Sequence, residues 1–125
     1  MKAVIDSDVL IDYLQGVEAA RRELNQYSEL CYSVISWMEI LIGAETPGEE
    51  KSARTFLASL RMIELTREIA SQAVSERKRS KLKLPDAIIL ATADVEGCIL
   101  VTRNTKDFQK RDPRVRFPYQ TETDL

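Results

Sequence analysis

The sequence predicts one α/β domain with a mainly parallel central sheet and helices on both of its faces. Short apolar runs typical of buried strands alternate along the 125 residues with longer amphipathic segments that begin at helix-capping residues. Such alternation is typical of βαβ units, in which crossover helices cover both faces of a parallel sheet. With 44% hydrophobic residues, the chain suits one compact core, so we predict a single domain over residues 1–125.

Two strands and four helices are predicted before residue 61. Residues 3–5 form a short apolar strand, after which Ser7 or Asp8 caps a helix. Ser36 and Glu39 have the spacing of a capping box, which predicts that a helix begins at Ser36. The other elements are helices over residues 18–27 and 46–60, the second with Pro47 at its first position, and a strand over residues 31–34.

Three strands and two helices are predicted after residue 60. Thr66 caps a helix that runs to about residue 81, and Pro85 starts a helix that Gly97 ends. The strands cover residues 62–65, 99–102 and, more weakly, 115–117. Residues 118–125 carry no such pattern, so we expect a loose tail there.

Composition excludes several kinds of chemistry. The chain has no histidine, which rules out serine–histidine triads and histidine-ligated zinc. Cys31 and Cys98 lie in separate strand-like contexts and are predicted to be buried free thiols rather than a disulfide or a zinc site. No apolar run is long enough to cross a bilayer, and no signal peptide precedes the first strand, so we expect a cytoplasmic protein.

Basic residues are concentrated in the second part of the chain. The net charge is −2, yet residues 76–125 carry 11 Lys and Arg against 8 Asp and Glu. This excess allows contact with a polyanion such as a nucleic-acid backbone, although a solvated helix face is an equally good explanation. The residues that could hold such a backbone are Arg77, Lys78, Arg79, Lys81, Lys83 and Arg103.

Four carboxylates are expected to meet at one edge of the sheet. Asp6 ends the first strand, Asp107 follows the last clear strand, and Glu39 and Asp86 lie near helix starts. Each of the last two also has a structural explanation, because a carboxylate stabilises a helix N-terminus. Two unit charges about 4 Å apart repel by about 4 kcal/mol at an effective dielectric constant of 20. A cluster of four must therefore hold a cation, stay partly protonated, or not form at all.

Four segments of the chain resemble the motifs of PIN-domain ribonucleases, and within that superfamily the VapC-like toxins of type II toxin–antitoxin pairs. The segments are residues 4–12, 33–40, 84–93 and 100–108, and they occur in the family's order. The resemblance extends over essentially the whole chain. It implies a PIN-like domain that cleaves RNA with Mg²⁺ or Mn²⁺, pairs as a homodimer and is held inactive by a cognate antitoxin protein.

The resemblance also implies roles for individual residues. The positions that match Asp6, Glu39, Asp86 and Asp107 form the family's acidic pocket. From the coordination chemistry of Mg²⁺ we assign Asp6 as a direct ligand, Asp86 and Asp107 as direct or water-mediated ligands, and Glu39 as the residue that orients or deprotonates the attacking water. Hydrogen bonds to phosphate or bound water would come from Ser7, Thr102 and Asn104, and Asp8 would add charge beside the site or cap the helix. Two departures stand out, because such toxins often carry Asn where this chain has Asp8, and members differ over whether the position of Asn104 or that of Asp107 is acidic.

Two other functions fit parts of the sequence. Asp6 and Asp8 after an apolar strand also suit the nucleophile loop of a haloacid-dehalogenase-type phosphatase, but no acidic pair follows the strand over residues 99–102. A non-catalytic α/β binding module would need no metal, and its acids would be helix caps and solvated charges. Dependence of stability on a divalent ion separates that module from a metal enzyme.

Overall fold

Five parallel strands form one sheet at the centre of the computed structural model, which describes residues 1–121. The order across the sheet is β3-β2-β1-β4-β5, and every neighbouring pair is parallel. The strands are β1 (Lys2–Ile5), β2 (Glu29–Ser33), β3 (Arg61–Ile63), β4 (Ile99–Val101) and β5 (Val115–Arg116). The direction of connection reverses between β1 and β4, which makes their carboxyl ends the expected position of a ligand site.

Six helices cover both faces of the sheet, which confirms the predicted fold class. They are α1 (Ser7–Leu14), α2 (Glu18–Leu24), α3 (Val34–Gly43), α4 (Pro47–Ala58), α5 (Arg67–Ser80) and α6 (Leu84–Glu96). Val4 of β1 packs in the core with residues of α5 and α6, whereas its neighbours Ala3 and Ile5 pack with α1 to α4. This alternation follows from the two-residue period of a strand, and it gives the domain two apolar layers.

The predicted caps of α1 and α3 are wrong, that of α1 by one or two residues and that of α3 by three. Asp6 itself caps α1, because its carboxylate accepts the backbone N–H of Ser7. Ser33 caps α3 by accepting the N–H of Ile35, so Ser36 lies inside the helix as a buried residue. Glu39 therefore forms no capping box and lies outside the first turn of α3. Stabilisation of the helix N-terminus no longer explains this residue.

The predicted caps of α4 and α5 and the predicted end of α6 agree with the structure. Thr46 and Thr66 accept N–H groups at the starts of α4 and α5, and Gly97 ends α6 with a φ of 69°. Lys81 ends α5 in the same left-handed region, at a φ of 62°. The predicted helix over residues 18–27 is shorter than expected, since α2 ends at Leu24 and a turn places Tyr27 in the core.

The last described residues are anchored to the domain. Tyr119 donates a hydrogen bond to Asp12 in α1 at 2.8 Å. Of the predicted loose tail, residues 122–125 lie outside the described part of the chain. Cys31 and Cys98 are free thiols; Cys31 is fully buried, as predicted, whereas Cys98 is only half-buried, which contradicts the prediction for it. Within residues 1–121, no helix has both the length and the apolar character that a membrane crossing requires.

Candidate active site

An acidic cleft of about 370 Å³ opens at the carboxyl ends of β1 and β4. It lies where the direction of strand connection reverses, as expected for a doubly wound sheet. A larger groove between α1, α3 and α4 is mostly apolar and has Glu49 as its charged lining residue, so it offers little chemistry. The acidic cleft is lined by Asp6, Ser7, Asp8, Glu39, Asp86, Arg103, Asn104, Thr105 and Lys106.

Asp6 lies at the base of the cleft, where β1 passes into α1. Its side chain is buried, with Oδ1 accepting the Ser7 backbone N–H at 2.7 Å and Oδ2 accepting the Thr102 hydroxyl at 2.7 Å. Burial raises the pKa of Asp6 above its ordinary value, and the hydrogen bonds from Thr102 and Ser7 oppose that rise. The carboxylate is therefore fixed in orientation and electrostatically unfavourable when ionised.

Two further carboxyl groups in the cleft have strongly raised pKa values. Burial, followed by the charge of Asp6, raises the pKa of Asp8 to about 7. For Asp86 burial is again the largest cause, and the charges of Asp6 and Asp107 add to it, giving a pKa of about 7. Oδ1 of Asp8 is buried and has no hydrogen-bond partner among the described residues. Neutral pH thus leaves these groups only partly ionised without a cation.

Glu39 reaches the cleft from the second turn of α3. Its Oε1 accepts the hydroxyl of Ser7 at 3.0 Å, and the same hydroxyl lies 3.4 Å from Oδ1 of Asp6. Partial burial raises the pKa of Glu39, and the charge of Asp6 adds to the rise. The Ser7 hydroxyl therefore lies between the carboxylates of Asp6 and Glu39 and links them.

Asp107 lies at the rim, in the loop after β4. The amide of Asn104 donates to its Oδ2 at 2.9 Å, and the Asp107 backbone N–H donates back to Asn104 Oδ1 at 3.2 Å. The hydrogen bond from Asn104 is the largest cause that lowers the pKa of Asp107, and Lys83 and Lys106 also lower it. Asp107 is therefore ionised beside Asp86, although it does not line the cleft itself.

The oxygen-rich cleft suits a hydrated Mg²⁺ or Mn²⁺ ion. No set of three or more Asp, Glu, Cys or His side chains in residues 1–121 forms a ready-made ligand cage. Mg²⁺ does not need one, because it keeps several waters and is commonly held by one or two carboxylates. A bound cation would stabilise the ionised forms of Asp8 and Asp86, whose pKa values are raised without it. It would also give a partner to Oδ1 of Asp8, which accepts no hydrogen bond from the described residues. The ligand set Asp6, Asp86 and Asp107 stays a prediction.

The predicted basic residues have different environments. Arg77, Lys78, Lys81 and Lys83 are exposed at the end of α5 and in the turn before α6. Arg79 forms an ion pair with Glu76 at 2.6 Å. The guanidinium of Arg103 is held by Asp12 in a largely buried ion pair, although the residue also lines the cleft, and its role as an RNA ligand stays a prediction.

Sequence reasoning missed Thr105 and Lys106 as lining residues of the cleft. Both stand between Asn104 and Asp107, two positions that the sequence had singled out. Residues between two site residues of one short loop also lie close to the site. Their position in the sequence could therefore have predicted that Thr105 and Lys106 line the cleft. Lys106 places a positive charge at the rim of an otherwise acidic cleft.

Comparisons with known proteins agree with the sequence resemblance. The family model described as "PIN domain" matches residues 3–112. Ribonuclease VapC10 of Mycobacterium tuberculosis is 37% identical over 113 residues, which cover 84% of each chain. A toxin–antitoxin complex from Klebsiella pneumoniae contains a chain with 40% identity and a TM-score of 0.88, covering 95% of this chain and 99% of that one.

More distant structures share the fold alone. One chain of VapBC2 from Rickettsia felis, bound to a DNA fragment from its promoter, is 19% identical with a TM-score of 0.78. The alignment covers 92% of this chain and 96% of that chain. The parallel sheet and its helices are thus common to proteins whose sequences have diverged widely.

Proposed function

The chain belongs to the PIN-domain family, and we propose on that basis that it is a metal-dependent endoribonuclease, the toxin of a toxin–antitoxin pair. The observation that carries the proposal is the acidic cleft, in which Asp6, Glu39 and Asp86 converge beside Asp107 at the carboxyl ends of the strands. Similarity to Ribonuclease VapC10 supports RNA as the substrate. Oxygen donors without histidine support a hard divalent cation, Mg²⁺ or Mn²⁺, as the cofactor.

The residues of the cleft would divide the work as follows. Asp6, fixed by Thr102 and Ser7, is the principal metal ligand, and Asp86 and Asp107 bind the ion directly or through water. Glu39 accepts a proton from, or orients, the water that attacks phosphorus. Ser7 and Asn104 provide hydrogen bonds at the edge of the cleft. A bound Mg²⁺ would supply a lowered pKa for that water and neutralise charge on the phosphate.

Partners follow from the same similarity. The toxin–antitoxin complex from Klebsiella pneumoniae supports a small cognate antitoxin that binds this chain. We also propose a homodimer and a cytoplasmic location, where the RNA substrate and the antitoxin are both present. Exposed lysines near the rim, including Lys83 and Lys106, would attract the RNA backbone without reading its sequence.

The decisive experiment uses purified, antitoxin-free protein and total RNA. Cleavage should occur with Mg²⁺ or Mn²⁺ and stop with EDTA, and mapping of the cut ends would define the target. The Asp6→Asn protein is the matched control for contaminating nuclease. No metal-dependent cleavage in any RNA pool would contradict the proposal, and an acid-stable aspartyl-phosphate would point to a phosphatase instead.

Metal binding can be tested without RNA. An ion that binds only the folded protein stabilises it by about 2.7 kcal/mol at 100 times its dissociation constant. The melting temperature should therefore rise with Mg²⁺ or Mn²⁺, and the rise should shrink in Asp6→Asn. If millimolar Mg²⁺ and Mn²⁺ gave the same melting temperature as EDTA, the cleft would not be a metal site.

A further inference from the structure

A buried ion pair lies next to the acidic cleft and outside its proposed chemistry. The guanidinium of Arg103 grips the Asp12 carboxylate with two hydrogen bonds, Nε to Oδ2 at 2.6 Å and Nη2 to Oδ1 at 3.2 Å. The Tyr119 hydroxyl donates to the same Oδ2 at 2.8 Å. Only 8% of the Asp12 side chain and 15% of the Arg103 side chain are exposed. We call the hydrogen-bonded set of Asp12, Arg103 and Tyr119 the Asp12 clamp.

The clamp fastens one loop to one face of α1. Asp8 and Asp12 are four residues apart and therefore lie on the same side of the helix. Both contact Arg103, since Oδ2 of Asp8 accepts its backbone N–H at 3.0 Å and Asp12 accepts its guanidinium. Helix α1 thus holds Arg103 at two points: Asp8 binds its main chain and Asp12 binds its side chain.

The held loop carries groups that orient the cleft acids. The Thr102 hydroxyl, one residue before Arg103, donates to Asp6 at 2.7 Å. Asn104, one residue after, donates its backbone N–H to the Thr102 hydroxyl oxygen and its side-chain amide to Asp107. A shift of Arg103 along α1 would therefore displace contacts to both Asp6 and Asp107.

We propose that Asp12, Arg103 and Tyr119 are positioning residues that set the distance between the two sides of the acidic cleft. Arg103 acts through the fold and does not bind the RNA backbone. The inference deepens the proposed function and rests on it for the catalytic readout. It predicts that weakening the clamp lowers turnover, because a displacement of about 1 Å at reacting groups can cost about 100-fold in rate.

The molecule contains a chemically matched control. Glu23 is also buried, accepts two hydrogen bonds from a guanidinium, that of Arg116, at 2.7 and 2.9 Å, and accepts a tyrosine hydroxyl, that of Tyr27, at 2.6 Å. This arrangement ties α2 to β5 and has no residue in the cleft. Removing charge from Glu23 should therefore weaken the fold without moving the cleft.

The test compares Asp12→Asn with Glu23→Gln in the full-length protein, with kcat, KM and amide hydrogen exchange measured well below each melting temperature. In Asp12→Asn we expect kcat to fall on the order of 10- to 100-fold and KM for RNA to change less than about threefold. Exchange at the amides of Arg103, Asn104 and Asp107 should accelerate at least about tenfold, because these amides depend on the held loop. In Glu23→Gln, kcat and these three exchange rates should stay within about twofold of wild type, whatever the fall in melting temperature.

Two milder variants keep the proposal testable if Asp12→Asn does not fold. Tyr119→Phe removes one hydroxyl and leaves the ion pair, and it should show the same pattern at smaller amplitude. Arg103→Lys keeps the charge but loses the two-point grip. A fall in kcat at nearly constant KM supports positioning, whereas a higher KM with unchanged kcat would assign Arg103 to RNA binding and overturn the proposal.

Hydrogen exchange separates failure of this inference from failure of the proposed function. If wild-type protein cleaves no RNA, the function is wrong, yet faster exchange at residues 103, 104 and 107 in Asp12→Asn alone would still support the clamp. Unchanged exchange and kcat in Asp12→Asn and Tyr119→Phe would overturn it. An equal loss of kcat in Glu23→Gln would do the same, since the effect would then be general destabilisation.

Discussion

Buried carboxylates occur in two contrasting environments in this domain. In the acidic cleft, Asp6 and Asp86 face hydroxyls and other carboxyl groups, and burial raises the pKa of each. At the packed edges of the fold, Glu23 and Glu76 face the guanidinium groups of Arg116 and Arg114, and their pKa values are lowered. Asp6 is buried as deeply as Glu23 and Glu76, yet the pKa values of these carboxyl groups are shifted in opposite directions.

The contrast separates carboxylates that are ion-paired in the fold from carboxylates that are not. An ion-paired carboxylate has its charge satisfied when the protein folds, so its removal leaves an uncompensated arginine. A carboxylate without such a pair keeps unfavourable energy that a metal ion can relieve. The Asp12 clamp joins the two environments, because it is an ion pair that holds residues of the cleft.

Substitution of Asp6 gives the largest expected difference between the two groups. Asp6→Asn keeps the volume and removes the charge, so RNA cleavage should fall about 1,000-fold, equivalent to about 4 kcal/mol of barrier. The free energy of unfolding without metal should stay the same or rise, since repulsion with Asp86 decreases. Single-turnover cleavage and urea unfolding measure the two quantities. Wild-type cleavage by Asp6→Asn would remove the proposed mechanism.

Breaking the ion pair between Arg116 and Glu23 should lower stability and leave turnover unchanged. Arg116→Ala leaves the buried Glu23 without its guanidinium, and the free energy of unfolding should fall by about 3 kcal/mol. Turnover of the folded fraction should remain near wild type. Arg54→Ala is a suitable control, because its exposed pair with Glu50 should contribute less than about 1 kcal/mol. Equal losses in the two variants would show that burial does not decide the strength of these pairs.

The sequence predicts the cleft better than the ion pairs around it. Alternation of strands and helices predicts the parallel sheet, and Asp6, Asp86 and the loop with Asp107 then follow at one edge. The partners of Arg103 and Arg116 lie 91 and 93 positions away, and no local pattern indicates which acid meets which arginine. Such pairings depend on how helices pack on the sheet.

Local competition explains the error at α3. Ser33 and Ser36 are both acceptable helix caps, and the spacing from Ser36 to Glu39 favoured the second. In the structure β2 ends at Ser33, which leaves its hydroxyl free to accept the N–H of Ile35. The end of a buried strand therefore overrode a local signal, and Glu39 became a residue of the second turn that faces Ser7.

The two environments should respond oppositely to pH in metal-free protein. The pKa of Asp86 is about 7 in the fold, above that of an unfolded chain, so the folded state binds more protons between about pH 4 and 7. Stability from this group is complete below about pH 4 and is lost as pH rises through about 7. Glu23 has a lowered pKa, so its contribution is present above about pH 4 and is lost as pH falls through that lowered value.

Urea unfolding in EDTA across this range checks both signs. Asp86→Asn should flatten the decline between about pH 4 and 8, by about 1 kcal/mol because water screens a partly exposed group. Glu23→Gln should leave that decline intact and flatten the acid limb instead. A decline that persists in Asp86→Asn would mean that other cleft acids, Asp8 foremost, dominate the titration.

The smallest expected effect concerns the exposed basic run near the end of α5. Arg77, Lys78, Lys81 and Lys83 are exposed, whereas Arg79 is paired with Glu76, so the first four are the candidates for phosphate contact. Each contact with single-stranded RNA contributes about −0.7 to the slope of log affinity against log salt. Neutralising all four in the cleavage-deficient Asp6→Asn background should flatten the slope by up to about 3.

The matched control neutralises Arg21, Arg22, Lys51 and Arg67, an equal charge change on other helices. If the control flattened the slope equally, the effect would be one of net charge, and the run at the end of α5 would be a solvated surface.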